Sequence, residues 1–335
     1  MNRRDLLLAL GGGGLMLSAC DNAELEHAIK IGMSTPANAT HNGVYAWIGA
    51  CVEALRAQNW PVRIYPNSSI GNERDRVYQT QLGLLEINET GGDEIGRWSP
   101  LAHASARPFL INSYDHMNRF LADTPYLEQV SRDLDRHGLR LIDVAHTGSM
   151  VGLFTRGTPV RTMADLRRLR LRVLSSADFS LLQAWKVRGV QVAWEEVAQA
   201  LQSGMVDAYL NPPNIAPMFG HGSVLDYFTD LRMGPAGRFI VVSTKWLAQL
   251  SGDQRQALET AFAAGRSANR AWINETISRD RIRLEQVGIE WIDLSDEQRG
   301  EWMRASAAIP PSRWDHPDAT ALYNRWIEQT RETSQ

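Results

Sequence analysis

Three arginines that alternate with apolar residues carry the most specific chemistry in this sequence. Arg168, Arg170 and Arg172 are separated by Leu169 and Leu171. In a β-strand this alternation places the three guanidinium groups on one face. Such a face is either a solvated sheet edge, where charge discourages aggregation, or a cleft wall in which one guanidinium binds a carboxylate through two hydrogen bonds. Spacing alone favours the solvated edge and does not identify which arginine would bind.

The sequence lacks the motifs that mark most catalytic and metal sites. The histidines are scattered and form no His-Glu-x-x-His motif or Cys/His cluster, so no metal site is expected. No Gly-x-Ser-x-Gly nucleophile motif occurs, and Cys51 lies in an apolar helical pattern that is typical of a small core residue. A pair of catalytic carboxylates cannot be recognised in one sequence. These observations favour a binding protein over an enzyme, and no cofactor is expected.

The composition is that of an ordinary globular protein. The chain has 335 residues, a formal net charge of −3 and 44% hydrophobic residues. This is enough for a large core and about two domains, and it argues against a disordered or disulfide-stapled chain. Because acidic and basic residues are balanced and dispersed, nothing in the composition indicates nucleic-acid binding.

The first twenty residues have the pattern of a bacterial export signal. Arg3 and Arg4 precede a short, glycine-rich apolar stretch that is too short to cross a bilayer. Leu17-Ser-Ala-Cys20 fits a lipobox, in which the cysteine receives a diacylglycerol; the alternative is an ordinary signal sequence with a nearby cysteine. The arginine pair also resembles a twin-arginine signal, although Sec signals often begin in the same way. The prediction is a periplasmic protein anchored through Cys20, and Asp21 favours retention on the inner membrane.

Alternating strand and helix patterns must position the arginines. Strands are expected at 28–33, 61–65, 84–87, around 139–145, at 169–174 and at 208–210, with a helix at about 43–58. This alternation predicts an α/β fold with a largely parallel sheet and helices on both faces. From Ser251, which Gln254 would cap, helical spacing continues to about Leu284, and a helix of that length could bridge two lobes. Tryptophans that recur near the C-terminus are expected to pack in the core: Trp302, Trp314 and Trp326.

Four segments resemble the solute-binding proteins of tripartite ATP-independent periplasmic (TRAP) transporters, of the DctP type. They are Tyr65–Arg74 continuing through Gln81–Glu86, Arg107–Leu110, Thr162–Val173 and Glu196–Pro212. Their order and spacing match the family from about Ile29 to Met303. The resemblance implies a two-lobed periplasmic-binding-protein fold with a central cleft that closes on a ligand, and a long helix that spans both lobes.

This resemblance divides the chain into segments. The expected segments are a signal peptide at 1–19, a tether at 20–27, lobe I at 28–147 plus about 233–255, lobe II at 148–232 plus about 256–305, and a C-terminal helical segment at 306–335.

The resemblance also implies a set of ligand-binding residues. Arg172 matches the family arginine that pairs with the ligand carboxylate. The resemblance therefore favours a carboxylate-binding arginine over the solvated sheet edge that spacing alone favours. Asn211 matches a cleft asparagine, and Trp194 matches an aromatic residue that stacks over the ligand. Further candidates come from first-lobe loops and from the crossover before the second lobe: Ser34, Thr90, Gly91 and His146.

Two departures from the family pattern bear on the ligand. Val151 stands where many relatives have a second arginine, which suggests an acid that is smaller, less polar or differently clamped than a sialic acid. Arg168 replaces a glycine of the family motif, a change expected on the surface or at the cleft rim.

The implied function is capture of an organic acid in the periplasm and its delivery to a TRAP permease driven by an ion gradient. The alternatives are a binding protein for an ABC transporter or a sensor kinase, and an extracytoplasmic enzyme on the same scaffold.

Overall fold

The structure is a computed structural model that describes residues 28–105, 107–174, 178–310 and 315–331. The predicted signal segment at 1–19, the tether at 20–27 with Cys20, and Trp314 lie outside the described residues.

The described chain alternates short strands with helices. The strands are β1 (Ile29–Gly32), β2 (Val62–Tyr65), β3 (Ile87–Thr90), β4 (Leu139–Met150), β5 (Gly152–Thr155), β6 (Arg170–Val173), β7 (Arg188–Gln191), β8 (Ala208–Asn211), β9 (Tyr227–Thr229), β10 (Pro235–Ser243) and β11 (Glu290–Ile292). The helices are α1 (Gly43–Arg56), α2 (Glu73–Leu82), α3 (Gly92–Ile95), α4 (Pro100–Ala104), α5 (Tyr114–Asp123), α6 (Tyr126–Asp135), α7 (Met163–Leu166), α8 (Phe179–Trp185), α9 (Val197–Gln202), α10 (Ile215–Phe219), α11 (Thr244–Gln249), α12 (Gly252–Thr276), α13 (Asp280–Gln286), α14 (Asp296–Ala307) and α15 (Pro317–Thr330).

Lobe I is built on a sheet whose described strands follow the order β2-β1-β3-β10-β4. Its first three strands are parallel, and β10 runs antiparallel to both β3 and β4. One face packs against α1 and α12, where the rings of Trp47 and Phe262 lie 5.9 Å apart. Cys51 is fully buried in this cluster, as its helical pattern predicted.

Lobe II is built on a second sheet with the order β11-β9-β5-β8-β6-β7. The pairs β11-β9, β8-β6 and β6-β7 are parallel, and β5 is antiparallel to both of its neighbours. Trp185 and Trp302 form an edge-to-face pair in its core, with ring centroids 5.3 Å apart. The predicted packing role of Trp302 is confirmed, and Trp326 is buried likewise in a lobe I cluster.

Three connections between the lobes lie entirely within the described residues, and a fourth, from α14 of lobe II to α15 against lobe I, includes residues outside them. Val151 joins β4 to β5, residues 230–234 join β9 to β10, and a short 3₁₀ helix at Ile277–Arg279 joins α12 to α13. The first two connections hydrogen bond to each other, because Val151 N–H donates to Gly234 O and Met233 N–H donates to Val151 O, both at 2.9 Å. The hinge between the lobes is therefore a pair of extended strands with a helix beside them.

The long helix is present and begins where the sequence predicted. Ser251 and Gln254 form a reciprocal capping box at the start of α12. The helix ends at Thr276 rather than continuing unbroken to Leu284, and the 3₁₀ turn separates it from α13. Helix α12 packs with lobe I, whereas Leu284 of α13 lies in a core cluster of lobe II.

Two local expectations were wrong. The sheets are mixed rather than largely parallel, because β5 and β10 enter their sheets directly from the hinge and run against their neighbours. The strand expected at 84–87 begins at Ile87 and ends at Thr90. Leu84 is 60% exposed, while Asn88, Glu89 and Thr90 are fully buried. The hydrophobic pattern therefore placed the start of this strand three residues too early.

Candidate functional site between the two lobes

Arg172 lies on β6 with its terminal nitrogen buried and unsatisfied. Its Nε–H donates to Val192 O at 2.9 Å, whereas Nη2 is buried and has no hydrogen-bond partner within the described part of the chain. Burial lowers the pKa of Arg172, and the carboxylates of Asp178, Asp93 and Glu73 oppose that shift. A buried charged donor without a partner is costly, and a carboxylate bound in the cleft would satisfy it.

The three arginines differ in exposure and in hydrogen-bond partners, which sequence spacing could not predict. Arg168 precedes the strand and is exposed. Arg170 makes a bidentate pair with Asp207, with Nε–Oδ2 and Nη2–Oδ1 distances of 2.8 and 2.9 Å. Of these three arginines, Arg172 is the one with an unsatisfied buried donor.

Trp194 provides an aromatic surface beside this guanidinium. The Arg172 guanidinium carbon lies 5.6 Å from the centroid of the Trp194 ring, within the range of a cation–π interaction. The indole packs in turn against Phe219, Tyr209 and His221, with centroid distances of 5.0, 5.9 and 5.6 Å. This packing fixes the ring, as a stacking surface requires.

Lobe I presents a network of two arginines and two glutamates. Arg238 Nη2 lies 2.6 Å from Glu73 Oε1, and Arg238 Nε–H donates to Glu89. Burial alone would raise the pKa of Glu73, but the charge and hydrogen bond of Arg238 outweigh it and lower that pKa to about 2. Although burial opposes the charge on Arg238, Glu73 and Glu89 hold its pKa above the ordinary value.

Arg76 completes this network beneath the cleft. Its side chain is fully buried, and its Nε–H donates to Asn88 Oδ1 at 3.1 Å. Its Nη1 donates to Gly71 O and to Ser68 Oγ, at 2.8 and 3.0 Å. Because the two arginines balance the formal charges of Glu73 and Glu89, this network does not need the charge of Arg172, which, among charged groups, is instead influenced most by Asp178 and Asp93.

The lobe I residues selected from the sequence converge on this network. Ser34 Oγ donates to Glu73 Oε1 at 3.0 Å, and Ser34 N–H donates to Glu89 Oε2 at 2.8 Å. Gly91 N–H and Thr90 Oγ also donate to Glu73 Oε2, at 2.8 and 3.3 Å. The structure therefore brings these three residues together, and their donors bind protein carboxylates in this conformation.

Asn211 and His146, the other two residues selected from the sequence, lie outside this network, on β8 of lobe II and on β4 of lobe I. Asn211 ends β8, the strand next to β6, and pairs with Gly152 of β5. His146 is fully buried on β4, where its Nε2 lies 3.0 Å from Asn118 Oδ1 and its ring contacts Tyr114. Burial holds the pKa of His146 well below its usual value, so the ring is neutral. Its contacts within the described chain are with lobe I and the long helix, not with Arg172.

Two adjoining cavities lie between the lobes. The cavity of about 180 Å³ is lined by residues that include Asp93, Asp178 and Leu210, and the one of about 260 Å³ reaches Val151. Arg107 lines both. Arg172 lines neither, because its Nη2 is buried by its neighbours, so a ligand reaches that nitrogen only after the surrounding groups move.

The described residues contain no group of His, Cys, Asp and Glu that could hold a metal ion. In the same part of the chain, every helix is too short or too polar to cross a membrane.

Sequence reasoning did not select Glu73, Arg76 or Arg238. A signal was available for Arg238, which immediately precedes the apolar run Phe239-Ile-Val-Val242 of β10. A charged residue at the edge of a buried strand needs a partner of opposite charge, and the partners here are Glu73 and Glu89. Their identity required the fold, because the three residues come from α2, β3 and β10.

Comparison with known proteins places these features in context. Residues 32–312 match the DctP family, the bacterial extracellular solute-binding proteins of family 7. A solute-binding protein of Roseobacter denitrificans is 25% identical over 280 residues, which are 80% of this chain and 82% of that protein. The sialic acid-binding periplasmic protein SiaP of Vibrio cholerae is 27% identical over 61% of this chain and 64% of its own length.

The fold also has close counterparts among solved structures. The TRAP periplasmic solute-binding protein of Haemophilus influenzae, with bound L-gulonate, superposes with a TM-score of 0.82 at 18% sequence identity. The superposition covers 91% of this chain and 99% of that protein.

Proposed function

This chain belongs to family 7 of the bacterial extracellular solute-binding proteins, and we propose that it binds an organic acid through Arg172 and delivers it to a TRAP permease. Family membership makes it an extracytoplasmic solute-binding protein of the TRAP type. Relatives and structural neighbours bind sugar acids, C4-dicarboxylates and sialic acid, which supports a carboxylate ligand here. Delivery to an ABC transporter or a sensor kinase is not favoured by this family.

The unsatisfied Nη2 of Arg172 is the observation that carries the assignment of the anchor. A carboxylate at this position would accept from the guanidinium while Trp194 covers its carbon skeleton. Closure of the two lobes would exclude water and strengthen the charge pair. In this proposal, Asn211 and the polar network around Ser34, Thr90 and Gly91 contact other parts of the ligand. His146 acts in this scheme as a structural residue of lobe I.

The ligand class follows from the same geometry. Val151 contributes no cation to the hinge-side cavity, and Arg107, which also lines it, has its Nη2 3.7 Å from Asp315 Oδ1. We therefore expect a single carboxylate at Arg172 to be the main charged contact. Carboxylate oxygens of the lobe I network, such as Glu73, are acceptors for ligand hydroxyl groups. A hydroxylated monocarboxylate fits this combination better than a dianion.

A thermal-shift panel tests the proposal. It contains L-gulonate, L-galactonate, D-galacturonate, succinate, 2-oxoglutarate and N-acetylneuraminate, with glucose as a neutral reference. At least one acid should raise the Tm of the wild type. The shift should disappear in Arg172→Ala and remain in Arg168→Ala, an exposed arginine of the same segment. An equal shift in Arg172→Ala and the wild type would exclude Arg172 as the anchor, and stabilisation by glucose alone would exclude an organic acid.

The cellular address of the protein is part of the proposal. We infer that residues 1–19 are removed on export and that Cys20 carries a lipid anchor on the inner membrane, with the Arg3-Arg4 pair directing twin-arginine export. Metabolic labelling with an alkyne fatty acid should mark the wild type and not Cys20→Ser. Export should stop in a strain without the twin-arginine translocase; continued export there would show that the Sec route is used.

Binding without turnover is the expected behaviour. The family and its structural neighbours are solute-binding proteins, and the proposed anchor needs no nucleophile. Recovery of the bound acid unchanged after prolonged incubation would agree with a binding function, and its conversion would favour an enzyme. We also propose the lobe division at 147/148 and about 232/233. The crossings at Val151 and at residues 230–234 lie within a few residues of these boundaries, and limited proteolysis at the hinge would test them.

A further inference from the structure

An exposed side-chain hydrogen bond crosses directly from lobe I to lobe II, in addition to the bonds that Asn214 makes to His41 O and Thr147 O. Ser68 Oγ, in the loop after β2, donates to Glu195 Oε1 at 3.2 Å. The two residues are 127 positions apart in the chain. Because they belong to different lobes, this bond exists only while the lobes are close together.

The lobe I partner is held rigidly. Asn67 and Ser68 both adopt positive φ angles, 55° and 53°, which non-glycine residues occupy only when their surroundings hold them there. The loop is tied to the end of β1 by Asn67 N–H to Thr35 O and Ser68 N–H to Met33 O, at 3.2 and 3.0 Å.

Arg76 polarises the serine hydroxyl from below. Its Nη1 donates to Ser68 Oγ at 3.0 Å, so the hydroxyl accepts from a buried cation and donates to the Glu195 carboxylate. A hydroxyl that accepts from a cation becomes a better donor, which strengthens its bond to Glu195. When the lobes separate, Arg76 keeps both of its Nη1 acceptors, Ser68 Oγ and Gly71 O, and Glu195 returns to water. Breaking the bond therefore leaves no buried group unsatisfied.

The lobe II partner is coupled to the ligand anchor. Glu195 follows Trp194 in a short 3₁₀ helix, Trp194–Glu196. The Trp194 ring lies beside Arg172, and Arg172 binds the backbone of this segment at Val192 O. A bond that fixes Glu195 against lobe I also fixes the segment that covers the anchor.

We propose that Ser68 and Glu195 form a latch that stabilises the closed cleft and sets how long a bound acid stays. Both are positioning residues, since they act through the closed state and not through ligand contact. This proposal rests on the proposed function for its link to residence time, but the latch itself can be measured without any ligand.

Ligand-free closure is the first measurement. Spin labels are placed at two exposed helical positions, Glu53→Cys in lobe I and Gln199→Cys in lobe II, in a full-length Cys20→Ser background. Pulsed electron paramagnetic resonance then gives the ratio of closed to open molecules. Glu195→Ala should lower this ratio about five-fold, as expected for a hydrogen bond to a charged acceptor at a partly solvated site. Glu196→Ala, the exposed neighbour, should leave it unchanged.

Conservative and double variants separate a latch from a general effect of charge. Glu195→Gln keeps an oxygen that accepts from Ser68, so it should retain most of the closed population. Ser68→Ala should act like Glu195→Ala, and the double variant should be no worse than either single variant because both remove one bond. An additive double variant, or equal closed populations in the wild type and Glu195→Ala, would overturn the proposal.

Ligand release is the second measurement. Each acid of the panel that stabilises the wild type should leave Glu195→Ala about five times faster in stopped-flow displacement, with an association rate within about two-fold of the wild type. Unchanged release would refute the link to residence time. Failure of the whole panel to bind would count against the proposed function, while the ligand-free ratio would still decide the latch.

Discussion

Replacing Arg238 with methionine would isolate the charge balance of lobe I. Arg238 is 18% exposed at its side chain and pairs with Glu73 and Glu89, which are 22% and 0% exposed. Methionine preserves much of the apolar stem and removes the guanidinium. Arg76 would then face both carboxylates alone, and one negative charge in the network would lose its direct partner.

The expected loss of stability in Arg238→Met follows from the burial of Arg238 and its glutamate partners. Removing one partner of a buried ion pair typically costs about 3–5 kcal/mol, because the remaining charge stays desolvated. For a chain of this size, that loss corresponds to a fall in Tm of about 4–7 °C. The exposed pair of Arg132 and Glu128, both more than 60% exposed, provides the matched control. Arg132→Met should cost about 0.5 kcal/mol or less.

The pH dependence distinguishes lost charge balance from lost packing. In the wild type, the pKa of Glu73 is lowered to about 2 from 4.5, so its contribution to stability is present above pH 4.5 and is lost as pH falls through 2. Without Arg238, burial is opposed chiefly by the Gly91 N–H and by the charge of Arg76, so we expect the pKa of Glu73 to be higher in the variant than in the wild type. As pH falls from 7 toward 4.5, Glu73 of the variant becomes protonated and its unpaired charge is lost. The difference in free energy of unfolding between the wild type and the variant should therefore become smaller.

Urea unfolding monitored by circular dichroism at pH 7 and pH 5 measures both quantities. Arg238→Met with Glu73→Gln in the same chain should recover part of the loss at pH 7, since it removes the unpaired charge. A deficit of similar size at both pH values would refute the electrostatic explanation and indicate lost packing. A deficit no larger than that of Arg132→Met would refute the assigned importance of the network.

Two further predictions concern the hinge and the core. Gly148→Ala places a methyl group against Asn214 Oδ1, and Asn214 joins the lobes by donating to His41 O and Thr147 O. Urea unfolding should show that the free energy of unfolding falls by about 2–4 kcal/mol, and a fall under about 1 kcal/mol would mean that the hinge can rearrange. Burial raises the pKa of Cys51 to about 12. Iodoacetamide should therefore leave this thiol unmodified in the folded Cys20→Ser variant and should label it in urea. Rapid labelling of the folded chain would contradict the burial of Cys51.

The sequence predicted those features that depend on local pattern. The capping box at Ser251, the buried Cys51 and the core position of Trp302 follow from spacing and polarity along single helices, and each is confirmed. Arg172 shows the limit of such patterns. Three arginines share one alternation, and the acceptors that they meet distinguish them. Arg170 binds Asp207, whereas Arg172 Nε–H donates to Val192 O and its Nη2 has no hydrogen-bond partner among the described residues.

Residues whose roles depend on distant partners could not be predicted. Glu89 occupies a fully buried strand position that a hydrophobicity pattern assigns to a loop, because its partner Arg238 is 149 residues away. The Ser68–Glu195 contact likewise joins two residues that local sequence marks only as polar. Pairing across such separations is set by the arrangement of the two lobes, and short-range preference carries no information about it.

The position of β10 has a consequence for how the chain is synthesised. In the lobe I sheet, β10 lies between β3 and β4, and it is the strand that joins them. A ribosome releases β3 and β4 long before residues 235–243, so the sheet stays in two separate pieces with open edges while most of lobe II emerges. The strands β5 to β9 of lobe II are consecutive in the chain and can pair before β10 is made, although α13, β11 and α14 complete that lobe later. Lobe I can close only late in translation, which leaves a nascent chain that needs protection from aggregation until its final third has been made.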